Sequence, residues 1–202
     1  MSGRRAYVVG LTGNIACGKS LVLDTLASLG ALTIDADWVA HQVMAPGSEV
    51  AEQVIREFGE AIRGDDGGID RRELARIVFS DPRSLARLEE IVHPPTVAAI
   101  RSMVAAADTP VVVIDAIKLI EVGLADECDE VWVVTCEPEQ QLERLMRRNG
   151  FSREEALRRI NAQPPQADKV RRADRVIDNS GSPEDTKALV RAAWYNLPPN
   201  RH

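Results

Sequence analysis

The feature that most constrains the fold is residues 13–20, which read Gly-Asn-Ile-Ala-Cys-Gly-Lys-Ser and match the pattern Gly-x-x-x-x-Gly-Lys-Ser. Residues 7–11 before it form an apolar run that is typical of a buried strand, and residues 21–29 after it carry apolar side chains at helical spacing. A strand, a glycine loop and a helix N-terminus in this order gather backbone N–H donors and a partial positive charge around one anion. The sequence therefore predicts a phosphate-binding loop; the alternative, a chance glycine-rich turn, is disfavoured by both flanks.

The loop residues have separate expected roles toward a nucleotide. Lys19 is expected to reach the β- and γ-phosphates, and the Ser20 hydroxyl is expected to hold Mg²⁺. The predicted nucleotide-binding residues of this segment are Gly13, Asn14, Ile15, Ala16, Cys17, Gly18, Lys19, Ser20 and Leu21.

Composition excludes several classes of protein. The 202 residues fit one domain with appendages, or one and a half domains, and the net charge of −6 disfavours a surface that coats nucleic acid. The three cysteines form no spaced pairs, so we expect a reducing compartment and no structural zinc. No apolar run approaches the roughly 20 residues of a membrane span, and the N-terminus lacks a signal-peptide pattern. A cytoplasmic protein is expected.

Two acids, Asp35 and Asp37, follow the second apolar segment at residues 31–34. A strand, a helix and a strand within about 30 residues form a βαβ unit, which predicts a parallel sheet. If the chain stays extended, both carboxylates point to the same side, at the edge where open α/β sheets bind ligands. Either could orient a metal-bound water or take a proton from an acceptor hydroxyl. The alternative is that one of them only caps the next helix.

Residues 38–92 are predicted to be mostly helical, as an insertion between the second and third strands that covers an acceptor substrate. The triplet His93-Pro94-Pro95 predicts an interruption, after which another helix runs to about residue 107. His93 has two interpretations, a packed or capping residue and a substrate contact.

Two further apolar runs, at residues 110–115 and 131–135, predict central parallel strands. The first run ends in Asp115, which resembles the Walker B position from which a carboxylate binds Mg²⁺ through water. Asp115 is therefore a candidate for the metal site, together with Ser20.

A concentrated basic segment occupies residues 137–175 of an otherwise acidic chain. It holds ten of the 25 lysine and arginine residues, namely Arg144, Arg147, Arg148, Arg153, Arg158, Arg159, Lys169, Arg171, Arg172 and Arg175. These are either solvated helix faces balanced by nearby glutamates or a lid whose arginines close over a triphosphate. Arg144 and Arg148 are four residues apart and share a helix face, whereas Arg147 is expected to be solvated.

Stretches along almost the whole chain resemble the dephospho-coenzyme A kinase family, whose members phosphorylate the ribose 3′-hydroxyl of dephospho-CoA with ATP. They are residues 10–20, 29–31, 35–37, 88–94, 141–145, 148 and 173–181. Many kinases share the loop at residues 13–20. The set of Asp-Ala-Asp at residues 35–37, His-Pro at 93–94 and Asp-Asn-Ser-Gly at 178–181 is specific to the family.

The resemblance implies an α/β fold of the P-loop NTPase type, in which a five-stranded parallel sheet is flanked by helices in three layers. It implies a nucleotide-binding core at residues 1–37, 93–137 and 173–202. It further implies a helical acceptor domain that binds CoA at residues 38–92 and a helical lid at residues 138–172.

The resemblance also implies roles for individual residues, with Asp37 as the base during in-line transfer of the γ-phosphoryl group. Grouped by role, the residues are Asp37, Lys19 and Arg144 for catalysis, Arg148 and Asn179 for further ATP contacts, Asp37, His93 and Glu121 for the acceptor, and Ser20 and Asp115 for Mg²⁺. The expected partners are ATP and dephospho-CoA, with no nucleic acid and no membrane. The chain is expected to be a monomer or a weak homo-oligomer.

Three rival functions stay open beside this one. The closest is another small-molecule P-loop kinase, acting on a nucleoside or a small alcohol. A GTPase switch is disfavoured because the sequence has no Asn-Lys-x-Asp guanine motif. A nucleotide-binding module without catalysis is disfavoured by the acidic residues at the strand ends.

Overall fold

The computed structural model describes residues 5–200 and divides them into two compact units. The first unit takes its described residues from Met1–Ile34 and Val104–His202, and the second unit is Asp35–Met103. Across residues 5–200, no helix combines the length and the apolar character that a membrane span requires.

The first unit is built on a five-stranded sheet with the strand order β2-β3-β1-β4-β5. The strands are β1 (Tyr7–Gly13), β2 (Leu32–Asp35), β3 (Val111–Asp115), β4 (Glu130–Thr135) and β5 (Arg175–Asp178). The pairings of β1 with β3, β1 with β4 and β4 with β5 are all parallel. The prediction of a five-stranded parallel sheet in an α/β fold of the P-loop NTPase type is confirmed.

Helices follow the strands, as parallel connections require. They are α1 (Lys19–Ser28), α2 (Ala36–Val43), α3 (Glu49–Phe58), α4 (Arg71–Val78), α5 (Pro82–Ala105), α6 (Pro138–Asn149), α7 (Arg153–Asn161), α8 (Gln166–Val170) and α9 (Pro183–Tyr195). Local sequence sets their ends: Ser152 and Ser182 each form a capping box, and Gly30, with a φ of 102°, follows the end of α1.

The core of the first unit lies against the central strands. These strands are apolar runs because side chains on both of their faces are covered, as in other parallel sheets. Val9 and Val113 are fully buried and are register partners on neighbouring strands. On one face, Val22 of α1 and Val190 of α9 join the same buried cluster. The register also pairs Leu11 with Asp115, which places that carboxylate at the end of β3 beside the last residues of β1.

The second unit is helical, and its buried apolar residues form a cluster of their own. The cluster is Val54, Ile55, Ile62, Leu74, Val78, Ile91 and Val92. Ser48 and Asp70 start α3 and α4, because each side chain accepts a backbone N–H of the first helical turn.

The predicted interruption at His93-Pro94-Pro95 is wrong, because α5 continues for 24 residues with Pro94 and Pro95 inside it. Two adjacent prolines remove two backbone donors, but the flanking turns are held by burial on both sides. Val92 is buried before them and Thr96 after them, and the Thr96 hydroxyl donates to the Val92 carbonyl at 2.8 Å. Packing of the flanking turns therefore carries the helix across the proline pair.

Candidate active site

The phosphate loop joins β1 to α1 through two residues with left-handed backbone conformation. Gly18, the N-cap of α1, has φ 88°, and Ala16 has φ 61°. A Cβ on Gly18 would lie 1.9 Å from Asn179 Nδ2, so both the backbone angle and the space require glycine. Ala16 is the one non-glycine residue with positive φ among residues 5–200, and this conformation costs about 1 kcal/mol. The loop is therefore locally strained and must be held by its neighbours.

One cavity of about 520 Å³ lies over this loop in the first unit. Its lining combines the loop with Ile117 and three arginines, and the residues are Gly13, Asn14, Ile15, Ala16, Gly18, Lys19, Ser20, Ile117, Arg144, Arg147 and Arg148. Backbone N–H groups at the start of α1 and guanidinium groups thus surround the same space, which suits a polyphosphate.

Arg147 is exposed, as predicted, but it also lines this cavity together with Arg144 and Arg148. Residues three apart on a helix are neighbours, as residues four apart are, so Arg147 borders the same face as Arg144. Three guanidinium groups, rather than two, are available to an anion in the cavity.

Lys19 forms an ion pair with Asp115, and both side chains are largely buried. The register of β1 and β3 explains the pair, since it brings the end of β3 next to the segment that leads into the loop. The ammonium group and the carboxylate are thereby both fixed beside the phosphate cavity, where a bound nucleotide and its metal ion would compete for them.

The donor set fits Mg²⁺, which prefers oxygen ligands and keeps several waters. Ser20 is exposed in the first turn of α1 and lines the cavity, and the Asp115 carboxylate lies beside Lys19. Residues 5–200 contain no cluster of three or more histidine, cysteine or acidic side chains that could hold a metal by themselves. A metal at this site would therefore take most of its ligands from phosphate oxygens and water.

Arg144 is held in place by Asn179. Arg144 Nη2 donates to the Asn179 carbonyl at 2.9 Å, while Arg144 Nη1 is buried without a hydrogen-bond partner in the part of the chain that the structure describes. Asn179 itself is buried: its Nδ2 donates to the Cys17 carbonyl at 2.8 Å, and its Oδ1 accepts from the Thr186 hydroxyl at 2.8 Å. Asn179 thus links the loop, Arg144 and α9.

Two glutamines that the sequence did not mark as site residues hold the backbone of the loop. Gln141 Nε2 donates to the Ile15 carbonyl at 2.8 Å, and Gln163 Oε1 accepts the Ile15 N–H at 2.8 Å. Their partners lie 126 and 148 residues away in sequence, so no local spacing could have pointed to them.

Cys17 of the loop is a neutral thiol. Hydrogen bonding to Cys136, and then burial, raise the pKa of the Cys17 thiol, whereas the hydrogen bond from Cys17 lowers the pKa of Cys136. Gln166 Oε1 lies 3.2 Å from the same Cys17 sulfur and is an alternative acceptor for its single S–H. The side chain serves packing and loop position, because a protonated buried thiol is a weak nucleophile.

In the second unit, Asp35 and Asp37 differ from the extended arrangement that the sequence predicted. The strand ends at Asp35 and α2 begins at the next residue, so the two carboxylates do not share a strand face, and that prediction is wrong. Asp35 is the N-cap of α2, and its side chain accepts the Trp38 N–H at 3.0 Å. Asp37 is exposed in the first turn, and its carboxylate makes no hydrogen bond or ion pair within residues 5–200. The capping alternative therefore holds for Asp35, while Asp37 is free to act on a ligand.

The other two residues predicted to bind the acceptor lie in different units. His93 is half-buried within α5 of the second unit. Glu121 belongs to the first unit, where its Oε1 accepts from Lys169 Nζ at 2.7 Å. Their roles toward an acceptor stay predictions.

The second unit has a cavity of its own, of about 360 Å³. Its walls are mainly apolar, with a few polar side chains among them. They are His41, Met44, Pro46, Asp66, Ile69, Arg71, Leu74, Ala75, Val78, Phe79, Leu85 and Leu88. Such a lining suits an extended ligand with an apolar arm.

The fold and the site of the first unit together define the class of enzyme. A strained glycine loop at the carboxyl edge of a parallel sheet, faced by three arginines across one cavity, is the site of a P-loop kinase. Comparison with known proteins narrows the class: the family model of dephospho-CoA kinase, CoaE, matches residues 7–185. The chain belongs to the dephospho-CoA kinase family.

Individual relatives agree with this assignment. A dephospho-CoA kinase of Symbiobacterium thermophilum is 47% identical over 190 residues, which cover 93% of this chain and 80% of the relative. A dephospho-CoA kinase of Geobacter sulfurreducens is 43% identical over 194 residues, covering 93% and 96%. Among solved structures, dephospho-CoA kinase from Campylobacter jejuni aligns with a TM-score of 0.72 at 26% identity, over 96% of this chain and 98% of that one.

Proposed function

We propose that this chain transfers the γ-phosphoryl group of ATP to the ribose 3′-hydroxyl of dephospho-CoA, the last step in the synthesis of coenzyme A. The observation that carries the proposal is the phosphate cavity of the first unit, where Lys19, Ser20 and three arginines surround the loop. Membership of the dephospho-CoA kinase family supports the choice of acceptor.

In the proposed reaction, the loop holds the β- and γ-phosphates through the N–H groups at the start of α1. Lys19 exchanges its partner Asp115 for phosphate oxygens, and Asp115 would then be available to hold Mg²⁺ together with Ser20. Mg²⁺, when bound, neutralises the charge that develops on the phosphate oxygens.

We propose Asp37 as the base that orients and deprotonates the ribose hydroxyl. Its support is the contrast with Asp35, whose carboxylate is engaged as a helix cap, whereas Asp37 is exposed. A carboxylate with no intramolecular partner can give both of its oxygens to a substrate hydroxyl.

Arg144 is proposed to stabilise the transferring group, with Arg148 as a further ATP contact. Asn179 fixes one side of the Arg144 guanidinium, and Nη1 on the other side has no partner within residues 5–200. A guanidinium that is held by one edge is preorganised to bind phosphate with the other. The predicted ATP-binding role of Asn179 is then to hold Arg144 and the loop.

The acceptor side of the proposal comprises Asp37, His93 and Glu121. We propose in addition that the apolar cavity of the second unit takes the pantetheine arm of dephospho-CoA. An aliphatic amide chain ending in a thiol matches mainly apolar walls with a few polar groups.

We further propose that the protein works in the cytoplasm as a monomer or weak homo-oligomer, without nucleic acid or membrane partners. The cysteines support a reducing compartment, since Cys17, Cys128 and Cys136 are all free thiols. Sedimentation equilibrium at several concentrations tests the oligomeric state.

A coupled assay with ATP and Mg²⁺ tests the function against its closest rival. Dephospho-CoA, adenosine and shikimate serve as parallel acceptors, and GTP replaces ATP in a second series. Of the three acceptors, only dephospho-CoA is expected to be phosphorylated. Faster turnover with adenosine or shikimate would assign the chain to another group of small-molecule kinases.

A further inference from the structure

A short segment at residues 163–169 contacts three residues of the phosphate loop. Gln163 Oε1 accepts the Ile15 N–H at 2.8 Å, and the Pro164 carbonyl accepts from Asn14 Nδ2 at 3.1 Å. These contacts, with that of Gln166 to the Cys17 thiol, occur within a few residues of each other. The segment therefore follows the loop closely, although about 150 residues of sequence separate the two.

Lys169 fixes the end of this segment. Its side chain is only 3% exposed, and Nζ donates to Glu121 Oε1 at 2.7 Å and to the Ile117 carbonyl at 2.8 Å. The Thr12 hydroxyl donates to the same Ile117 carbonyl at 3.0 Å. A buried ammonium group with both partners satisfied is a rigid attachment, because release would leave a charge in a region of low polarity.

The polar groups of the loop fall into two sets. The backbone of Ile15 is taken by Gln163 and Gln141, and the Cys17 carbonyl is taken by Asn179. The N–H groups of residues 18–20 lie at the start of α1, where no intrahelical acceptor exists. Protein contacts thus satisfy the backbone groups of Ile15 and the Cys17 carbonyl, and so keep them from turning toward the ligand. The N–H groups at the start of α1 are left to bind phosphate.

We propose that Lys169 is a positioning residue for the phosphate loop. Glu121 anchors Lys169, and residues 163–166, which Lys169 fixes in place, hold the loop in its anion-binding conformation. This inference rests on the proposed function insofar as the anion is the phosphate chain of ATP. Ile117, which Lys169 also holds, lines the phosphate cavity, so the same ammonium group fixes a wall of the cavity and the backbone of its floor. Glu121 then acts on the nucleotide side as well, by orienting Lys169, in addition to the acceptor contact proposed for it.

The positioning role is tested by ATP binding, measured by isothermal titration calorimetry without any acceptor. The variants are Lys169→Met, Glu121→Gln and their combination. Lys187→Met is the matched control, because Lys187 has an ion pair with Glu184 on α9 and does not contact the loop. Lys169→Met is expected to weaken ATP binding about tenfold, and the double variant is expected to be no weaker, because the two residues act as one unit.

Two measurements separate positioning from a role in stability alone. Thermal unfolding is recorded for each variant, and ATP binding is measured well below the unfolding temperature. Lys169→Met with a lower unfolding temperature and unchanged ATP affinity would overturn the proposal. Should that variant not fold, Gln163→Ala removes the acceptor of the Ile15 N–H at a half-exposed site and is expected to weaken ATP binding as well, with exposed Gln53→Ala as its control. Unchanged affinity in Gln163→Ala would then decide against it.

Kinetics with dephospho-CoA distinguish this proposal from a role of Glu121 in the acceptor site alone. If Glu121→Gln raises the KM for dephospho-CoA and leaves ATP affinity unchanged, Glu121 serves the acceptor site alone and the positioning role fails. A different outcome separates the two proposals. If the wild-type protein binds ATP but does not phosphorylate dephospho-CoA, and the variants lose ATP affinity as expected, the positioning role stands and the proposed acceptor is wrong.

Discussion

The phosphate loop and the start of α2 both follow short motifs in the sequence, yet the structure holds their polar groups in opposite ways. In the loop, Ile15 and Cys17 are bonded to glutamine and asparagine side chains from distant parts of the chain. At the start of α2, Asp37 is exposed and has no bonded partner among the described residues. The loop is built to receive a phosphate before it arrives, whereas the carboxylate of Asp37 acquires its partner only with the substrate. Variants in the two regions should therefore differ in which kinetic constant they change.

The largest effect is expected from Lys19→Ala. Removing the ammonium group takes away a charge that contacts the transferring phosphates, and transfer should fall on the order of 10³-fold. The fold should remain, because Lys19 contributes little to the apolar core. Lys187→Ala provides the control in a steady-state assay, and circular dichroism checks the fold. Near-wild-type turnover of the Lys19 variant would contradict the phosphate-loop assignment.

Asp37→Asn should come next, with turnover reduced about 10²-fold or more and ATP affinity little changed. Asp35→Asn is the matched control within the same turn. Asparagine caps a helix as well as aspartate does, so the cap on the Trp38 N–H survives and activity should be nearly unchanged. If Asp35→Asn proves the more damaging substitution in kcat, the two carboxylates have been assigned in the wrong order.

Arg144→Lys keeps the charge but loses the fork of donors, one edge of which is held by Asn179. We expect kcat to fall about 10- to 100-fold with a small change in the KM for ATP, because the phosphate contact strengthens in the reacting state. Arg147→Lys should lose less, since Arg147 lines the cavity but is exposed. The control is Arg158→Lys, where an exposed arginine is paired with Glu154. Equal and small effects at all three positions would mean that the basic segment is a solvated face.

Ala75→Phe tests whether the apolar cavity of the second unit belongs to the acceptor site. Ala75 lines the apolar cavity and is only partly buried, so a phenyl ring can occupy the cavity without displacing the buried core. The KM for dephospho-CoA should rise roughly tenfold, with ATP binding unchanged. Ala98→Phe, at an exposed site on α5, is the control. An unchanged KM would remove this cavity from the proposed acceptor site.

The same contrast explains what could be predicted from the sequence. The individual strands, the loop and the cap at Asp35 depend on neighbours in sequence, and apolar runs, glycine spacing and capping preference report such neighbours directly. Gln163, Lys169 and the link through Asn179 depend on contacts across up to 162 residues, which no local spacing encodes. The continuity of α5 through Pro94 was missed for a related reason, because tertiary burial outweighed a local breaker signal.

The smallest effect is expected from Ala16→Gly, which tests whether the strain in the loop matters for stability. The φ of 61° costs alanine about 1 kcal/mol, which glycine would relieve. Glycine also gains about 0.4–1 kcal/mol of conformational freedom in the unfolded chain, which opposes that relief. The two terms nearly cancel, so the unfolding temperature should hardly move. Gly30→Ala is the reciprocal test, at a φ of 102° with open space around the added Cβ. This φ lies further from the left-handed minimum than that of Ala16, so the backbone strain of alanine is about 2 kcal/mol there, and the unfolded-chain term offsets about 0.4–1 kcal/mol of it. A net destabilisation of about 1 kcal/mol is expected. Denaturant unfolding of both variants measures the difference, and a marked loss of stability in Ala16→Gly would show that the Ala16 methyl group contributes packing that the backbone argument leaves out.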